Sequence, residues 1–198
     1  MWATLRIMEA HIIIKMDNQM ETQMNKLNLG CGKDIKEGWV NVDIQYAEDI
    51  DKSFNFDKFP YPFLDDEFDF VLVDNVLEHL ENPIKVMQEL WRICKEGATI
   101  QIIVPYYNTY WNYGDISHKH FFNELTIKQI IGDIDYNHNK QKEQFEILEL
   151  TSIPQRFLKY IPMSILNVLK RFLGNVIIQL DVRIRVIKNV EGDENQNG

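Results

Sequence analysis

Cysteine is scarce in this 198-residue chain, which contains only Cys31 and Cys94. The two residues form no Cys-x-x-Cys pair, so the sequence excludes a disulfide-rich scaffold and fits a reducing compartment. We interpret the chain as cytoplasmic. Cys31 stands inside a glycine turn, where a small apolar filler is expected rather than a redox centre.

Long apolar runs are also missing. None approaches the roughly 20 residues that a membrane-spanning helix requires. The apolar patch Ile12-Ile13-Ile14 is not followed by a small-residue cleavage site, so no signal peptide is expected. The length supports one domain with a full hydrophobic core.

Positive charge is in short supply. The chain has 21 basic and 30 acidic residues and a formal net charge of −9, which disfavours nonspecific binding to nucleic acid. The deficit is uneven, because residues 154–188 contain seven basic residues and a single acid, Asp181. This basic stretch is therefore the exception in an acidic protein.

The most informative motif is Leu27-Asn28-Leu29-Gly30-Cys31-Gly32, followed by Val40-Asn41-Val42-Asp43. An apolar run ends in a Gly-x-Gly turn, and the next apolar run ends in an aspartate. Glycines let a backbone approach a ligand closely, and a carboxylate at the end of the following strand can accept both hydroxyls of a ribose. The pattern predicts a nucleoside-binding site.

Three segments resemble class I S-adenosylmethionine-dependent methyltransferases, most closely a small branch of predicted methyltransferases: Leu27 to Asp43, Phe68 to Leu80 and Val86 to Pro105. The resemblance implies a doubly wound, Rossmann-like α/β fold. It implies a three-layer α/β/α arrangement around a mostly parallel seven-stranded sheet with an antiparallel last strand. An oxidoreductase using NAD is disfavoured, because the third glycine of that fingerprint is missing.

The resemblance implies S-adenosylmethionine as cofactor. Gly30, Cys31 and Gly32 would form the turn, and Asp43 would bind the ribose with Ile44 packed on adenine. Phe56 would stack on the base and Asp57 would receive its amino group, although a surface-loop acid explains Asp57 almost as well. Asp74 and Asn75, at the end of the next strand, should border the cofactor because ligands lie beyond the carboxyl ends of such strands.

Glu78, His79 and His118 are the candidates for chemistry. His118 and His79 could act as a general base or orient the acceptor, while the alternatives are a helix cap at His79 and a loop-locking role for His118. Some O-methyltransferases bind a divalent cation through Glu-x-x-Glu-His and a later histidine. Here Asn75 stands at the first glutamate position and removes one charge, so we expect no metal site.

Strand and helix patterns alternate along the chain. A helix is predicted over Pro83–Cys94, and its apolar face comprises Ile84, Met87, Leu90 and Trp91. Gly97 is expected to end this helix. A second helix is predicted from Glu124 to about Ile131, with Asn123 as its N-cap. The predicted strands are Lys26–Leu29, Trp39–Asp43, Phe68–Asp74, Thr99–Pro105, Phe145–Thr151 and Leu180–Lys188.

The predicted organisation is an N-terminal extension (1–25), a methyltransferase domain (26–190) and a disordered tail (191–198). Gly30 and Asp43 are too close for a normal crossover helix, so one sheet face should lack cover, and the extension could supply it as a helix. Residues 154–178 form a basic amphipathic insertion or lid. Packing on the core is its simplest role, and peripheral membrane contact through 156–173 is the alternative.

Together these observations predict methyl transfer to a small-molecule, saccharide-linked or lipid-linked acceptor, on oxygen rather than nitrogen. The acidic balance argues against RNA as the acceptor, although the basic stretch keeps that option open. The rival hypothesis is a non-catalytic nucleotide-binding or partner-binding module that keeps the fold.

Overall fold

A computed structural model describes residues 24–132 and 144–188. The strands are β1 (Lys26–Leu29), β2 (Val40–Asp43), β3 (Lys52–Ser53), β4 (Phe68–Asp74), β5 (Cys94–Pro105), β6 (Gln144–Pro154) and β7 (Ile177–Ile187). Within the described residues they form one sheet of seven strands in the order β3-β2-β1-β4-β5-β7-β6. β7 runs antiparallel to both of its neighbours, and the other pairs are parallel. The predicted α/β sheet with an antiparallel last strand is confirmed.

The helices are α1 (Pro83–Ile93), α2 (Tyr110–Gly114), α3 (Glu124–Ile130) and α4 (Met163–Leu169). The Asn123 side chain accepts hydrogen bonds from the amides of Leu125 and Thr126, which confirms it as the N-cap of α3. The predicted role of Gly97 is wrong. Helix α1 stops at Ile93, because Cys94 is already extended and pairs with Phe68 of β4.

The hydrophobic core lies on one face of the sheet. A row of side chains in register across the strands is buried there, namely Val42, Leu29, Val73, Ile102 and Val182. Helices α1, α3 and α4 all contribute buried residues to this same core. The buried face of α1 differs from the prediction, since Ile84 is exposed while Val86 and Ile93 are fully buried.

The other face of the sheet is largely polar. The adjacent register row runs through Asn41, Asn28, Leu72, Gln101 and Arg183. Mostly parallel sheets usually carry apolar residues and helices on both faces, yet the helices named in the core cluster serve the first face. The N-terminal extension that we expected over this second face lies almost wholly outside the described residues, as does the predicted tail.

Two buried asparagines explain how β1 reaches β2 without a crossover helix. Asn28 donates from Nδ2 to the carbonyl of Asp34 (2.8 Å) and to Oδ1 of Asn41 (3.1 Å). Asn41 in turn bonds both the amide and the carbonyl of Lys36 at 2.9 Å. These side-chain amides satisfy connecting backbone that a helix would otherwise satisfy internally, so the predicted absence of a regular first helix is confirmed.

Candidate active site

The glycine turn after β1 is shaped by packing within the protein. Gly30 has φ +76°, and a Cβ at this position would lie 2.3 Å from Cγ2 of Val76. Val76 follows β4, so a side chain at Gly30 would push apart the turns that end the two central strands. Gly32 has φ +51° and open space around its missing Cβ. At Gly30 the close approach is therefore to Val76, whereas at Gly32 room is left for a ligand.

Asp43, at the end of β2, is held against this turn. Its Oδ2 accepts a hydrogen bond from the amide of Gly32 (2.9 Å) and its Oδ1 accepts one from the amide of Gln45 (3.0 Å). Each carboxylate oxygen keeps a further lone pair, so both can accept ribose hydroxyls. Ile44 follows with 57% of its surface exposed, and it is available to pack against a flat base.

The aromatic and acidic residues expected at adenine have partners of their own. The Phe56 ring is 4% exposed and lies 5.1 Å from the Phe54 ring, so its observed contacts are those of a core residue. Oδ1 of Asp57 accepts a hydrogen bond from the amide of Glu81 at 2.8 Å, which ties two loops together. Cys31 is buried, and burial raises the pKa of its thiol, as expected for an inert filler.

Asp74 and Asn75 connect the glycine turn to a second cavity. They end β4, and Asn75 takes the left-handed conformation (φ +52°) with its side-chain amide donating to Oδ1 of Asp74 at 2.7 Å. Burial, followed by the nearby Asp34 carboxylate, raises the pKa of Asp74. Asn75 also lines the cavity, and the next residue, Val76, packs against Gly30 of the turn.

The cavity has a volume of about 600 Å³. Polar and aromatic side chains are mixed in its lining, which comprises Asn75, Glu78, His79, Pro105, Tyr110, Trp111, Gly114, Asp115, Ile116 and His118. A space of this size and mixed lining suits a small molecule or the head of a larger one.

One loop, residues 106–122, supplies most of this lining. Its two ends are joined, because the amide of Tyr107 donates to the carbonyl of Phe122 at 2.8 Å. Its far side is fixed to the segment after β4, since the Lys119 amide donates to the carbonyl of Glu78 at 2.7 Å. This closure brings His118 next to His79, with ring centroids 4.6 Å apart.

The hydrogen bonds of the two histidines determine which nitrogen of each ring is free. Nδ1 of His118 lies 3.0 Å from the carbonyl of Asn112 and 2.9 Å from its Oδ1, and both are acceptors. Nδ1 must therefore carry the proton, which leaves Nε2 with a lone pair when the ring is neutral. The His118 side chain is 8% exposed.

His79 is oriented by a relay. Its Nδ1 lies 3.0 Å from Oγ of Ser117, and that hydroxyl donates its proton to Oδ1 of Asp115 at 2.6 Å. Ser117 has one proton to give, so it accepts from Nδ1–H of His79, and Nε2 is again the free nitrogen. Burial, followed by the neighbouring His118, lowers the pKa of His79, which favours the neutral base.

Glu78 is the unusual member of the group. It is 1% exposed, and neither carboxylate oxygen has a hydrogen-bond partner among the described residues. Burial, with smaller contributions from the Asp74 and Asp115 carboxylates, raises the pKa of Glu78 to about 7. A buried acid without a partner stays ionised only at a cost, so this position favours either a proton or a bound cation.

The same three side chains could hold a metal ion. Glu78, His79 and His118 each offer one ligand atom, and these atoms lie within 4.8 Å of one another. One carboxylate and two imidazoles, each with its other ring nitrogen already bonded, form a donor set that suits a divalent cation.

Sequence reasoning missed the residues that orient the histidines. Asn112 and Ser117 bond the two rings, and Asp115 completes the relay. The only available signal was the clustering of polar residues around His118 in Asp115-Ile116-Ser117-His118.

Comparison with known proteins gives a match to part of the chain. Residues 31–102 match the family model of a methyltransferase domain. A 41-residue stretch is 51% identical to an uncharacterized protein of Methanocaldococcus jannaschii, over 21% of this chain and 20% of that protein. This chain therefore covers only a fifth of that relative.

Two solved structures share the fold over most of their length. An S-adenosylmethionine-dependent methyltransferase of Archaeoglobus fulgidus superposes with a TM-score of 0.54 at 16% identity, covering 91% of this chain and 94% of the other. The YcgJ protein of Bacillus subtilis gives 0.56 at 12% identity, covering 91% and 99%. The match over residues 31–102 is to a methyltransferase domain, and the superpositions show that the chain has the fold of these two structures.

Proposed function

We propose that this protein transfers the methyl group of S-adenosylmethionine to a hydroxyl oxygen of an acceptor bound in the cavity at Glu78, His79 and His118. The observation that carries the proposal is the pair of imidazoles whose Nδ1 atoms are fixed by acceptors. Both histidines line the cavity, as does Asn75, and Oδ2 of Asp115 lies 3.8 Å from Nε2 of His118.

The reaction needs alignment and removal of one proton. The acceptor oxygen attacks the methyl carbon in line with the carbon–sulfur bond, the new oxygen–carbon bond forms and the carbon–sulfur bond breaks. The sulfonium loses its positive charge and leaves as S-adenosylhomocysteine. Nε2 of His118 takes the hydroxyl proton, and His79 orients the acceptor.

The residues that we propose to bind the cofactor lie at the same edge of the sheet. We assign the ribose hydroxyls to Asp43, the adenine face to Ile44 and the approach to the turn to Gly32, with Asp74 and Asn75 between cofactor and acceptor. Phe56 is left out of this assignment because it packs in the core. Asp57 keeps Oδ2 for an adenine amino group, since Oδ1 already bonds Glu81.

Calorimetric titration with S-adenosylhomocysteine tests the cofactor half of the proposal. Asp43→Ala should weaken binding about 30-fold to 100-fold, because two hydrogen bonds to a charged acceptor are lost. Asp49→Ala, which removes an exposed acid of the same segment, is the matched control and should bind as wild type does. Absence of binding to wild type would favour the non-catalytic module, which the methyltransferase-domain match disfavours.

A second role for the same three side chains is to hold a divalent cation, which the unpartnered oxygens of Glu78 favour. In that case the cation would supply the charge that lowers the pKa of the acceptor hydroxyl. Turnover that survives exhaustive chelation supports the histidine base. Turnover that chelation abolishes and Mn²⁺ restores supports the cation.

A further inference from the structure

The segment between β6 and β7 exposes many of its large apolar side chains. Helix α4 has five apolar residues among seven, and Leu166 alone among them is fully buried. Leu158, Ile161 and Leu169 pack against the core as well, and with Leu166 they form the side of the segment that faces the core. Ile165 of α4 is 50% exposed, and Phe172 beyond it is 81% exposed.

The outward side of this segment is aromatic and aliphatic. Phe157 is 72% exposed, Tyr160 84% and Val168 57%. A monomeric soluble protein rarely leaves so many large apolar side chains together in water, and such patches mark interaction sites.

The loop that lines the cavity adjoins this segment and is equally exposed. Trp111 is 72% exposed, and Ile116 has its whole side chain in solvent. Asn108 links the two parts, since its Nδ2 donates to the carbonyls of Lys170 and Leu173. A Cβ at Gly174 would lie 2.9 Å from the carbonyl oxygen of Asn108, so the two segments are in close contact. We call the exposed apolar side chains of residues 110–116 and 157–173 the aromatic surface.

The charge of residues 154–180 indicates what kind of partner the aromatic surface binds. Residues 154–180 contain none of the chain's 30 acidic residues but four of its cations. Arg156, Lys159 and Arg171 are exposed, whereas Lys170 is paired with Glu124. Cations interleaved with aromatic side chains match an anionic bilayer, where aromatic rings enter the headgroup region and cations contact lipid phosphates. The acidic remainder of the protein would be repelled from that bilayer, which fixes the orientation.

We propose that the aromatic surface docks this protein on an anionic membrane, and that the acceptor is the head of a membrane lipid or of a lipid-linked saccharide. Tyr110 and Trp111 belong both to this surface and to the lining of the cavity, so docking places the cavity mouth at the headgroups. The acceptor class rests on the proposed methyl transfer, whereas membrane binding does not.

Vesicle co-sedimentation tests the docking. Wild-type protein should bind vesicles of phosphatidylcholine with one quarter phosphatidylglycerol and should not bind pure phosphatidylcholine. The double variant Phe157→Ser/Phe172→Ser should bind about tenfold more weakly, and Arg156→Gln/Arg171→Gln should lose a similar factor at low salt. Tyr46→Ser, a change of an 80% exposed aromatic residue outside the surface, is the matched control and should bind as wild type does.

Three results would overturn the proposal: no vesicle binding, equal binding to neutral and anionic vesicles, or the same loss in Tyr46→Ser. A dimer in sedimentation velocity that the Phe157→Ser/Phe172→Ser variant converts to monomer would assign the surface to contact between copies instead, and would also overturn it. S-adenosylhomocysteine binding by each variant checks that the fold is intact.

The acceptor class is tested separately by release of S-adenosylhomocysteine from S-adenosylmethionine. A chloroform–methanol lipid extract presented in the same anionic vesicles should support release, and an aqueous metabolite extract should not. Release with the aqueous extract alone would leave the methyltransferase proposal standing and overturn the lipid acceptor. Cofactor binding without release in either extract would count against both.

Discussion

The glycine turn and the acceptor cavity lie at the same edge of the sheet, but their polar groups are satisfied differently. At the turn, the amides of Gly30, Cys31 and Gly32 and both oxygens of Asp43 have partners within the protein. In the cavity, both oxygens of Glu78 have none among the described residues. The turn is thus held by hydrogen bonds within the protein, whereas the cavity holds an uncompensated acid that a proton, a cation or an acceptor can satisfy.

The largest expected effect is a loss of kcat from a change in the cavity that leaves cofactor binding at the glycine turn unaffected. His118→Gln should lower kcat by a factor of roughly 10² to 10⁴, because the proposed base is lost, and should leave S-adenosylhomocysteine affinity unchanged. His120→Gln in the same loop is the control and should keep most of the activity, since the His120 ring bonds the carbonyl of Glu81 through Nε2 and is not among the lining residues of the cavity. Equal kcat in His118→Gln and wild type would remove His118 from the chemistry.

The next effect concerns the packing of the turn. Gly30→Ala should reduce the free energy of unfolding by about 3 to 5 kcal/mol, because it combines a strained backbone with overlap of Val76. Gly32 also has a positive φ, but the space around its missing Cβ is free, so Gly32→Ala should reduce the free energy of unfolding by only about 1 kcal/mol. Urea denaturation measures both. Similar costs at the two glycines would contradict the packing explanation.

The third effect tests the uncompensated acid of the cavity. The pKa of Glu78 is raised in the folded protein from 4.5 to about 7, so the unfolded chain loses this proton first. Its contribution to stability is therefore greatest below pH 4.5 and declines as pH rises through about 7. Glu78→Gln should be more stable than wild type by about 1 to 3 kcal/mol at pH 8 and nearly equal at pH 4.5.

Urea denaturation of both proteins at pH 4.5, 6 and 8 measures this difference. Glu89→Gln is the contrasting variant, because Glu89 is also buried but bonds the amide of Tyr61 and pairs with Arg92. It should be destabilised at pH 8. A Glu78→Gln protein that is less stable than wild type at pH 8 would mean that the carboxylate has a partner in solution.

The smallest effect tests the relay to His79. Ser117→Ala removes the acceptor of Nδ1–H and should lower kcat by about tenfold, with S-adenosylhomocysteine affinity unchanged. The pH–rate profile should shift too, because the Asp115 carboxylate would no longer be linked to the ring through the hydroxyl. Ser117→Thr, which keeps the hydroxyl, should restore both kcat and the profile. A purely structural role would leave the profile where it was.

Local patterns predicted most of the fold. The limits of β1 and β4 and the capped start of α3 follow from apolar runs and an asparagine N-cap, which act over a few neighbouring residues. The end of α1 did not follow, because strand pairing of Cys94 with Phe68 stops the helix before Gly97 is reached. Its buried face was predicted except at its edge, where Ile84 is exposed because the sheet decides which side of the helix is covered.

The candidate site also has one part that local sequence predicts and one part that it does not. Gly30, Gly32 and Asp43 stand on two consecutive strands, so one stretch of sequence contains their relation. The close packing of Gly30 against Val76 and the hydrogen bond between His79 and Ser117 join segments more than 35 positions apart, and no local pattern contains them.

The sequence alone predicted most strands, the glycine turn and the candidate histidines, because periodicity and glycine chemistry are properties of neighbouring residues, whereas the antiparallel last strand was expected from the family resemblance. Tertiary structure alone decided which nitrogen of each histidine is free, why Asn28 and Asn41 can replace a helix, and which side of residues 157–173 faces solvent. Each of these depends on burial and on hydrogen bonds between segments distant in the chain, which exist only once the strands have assembled.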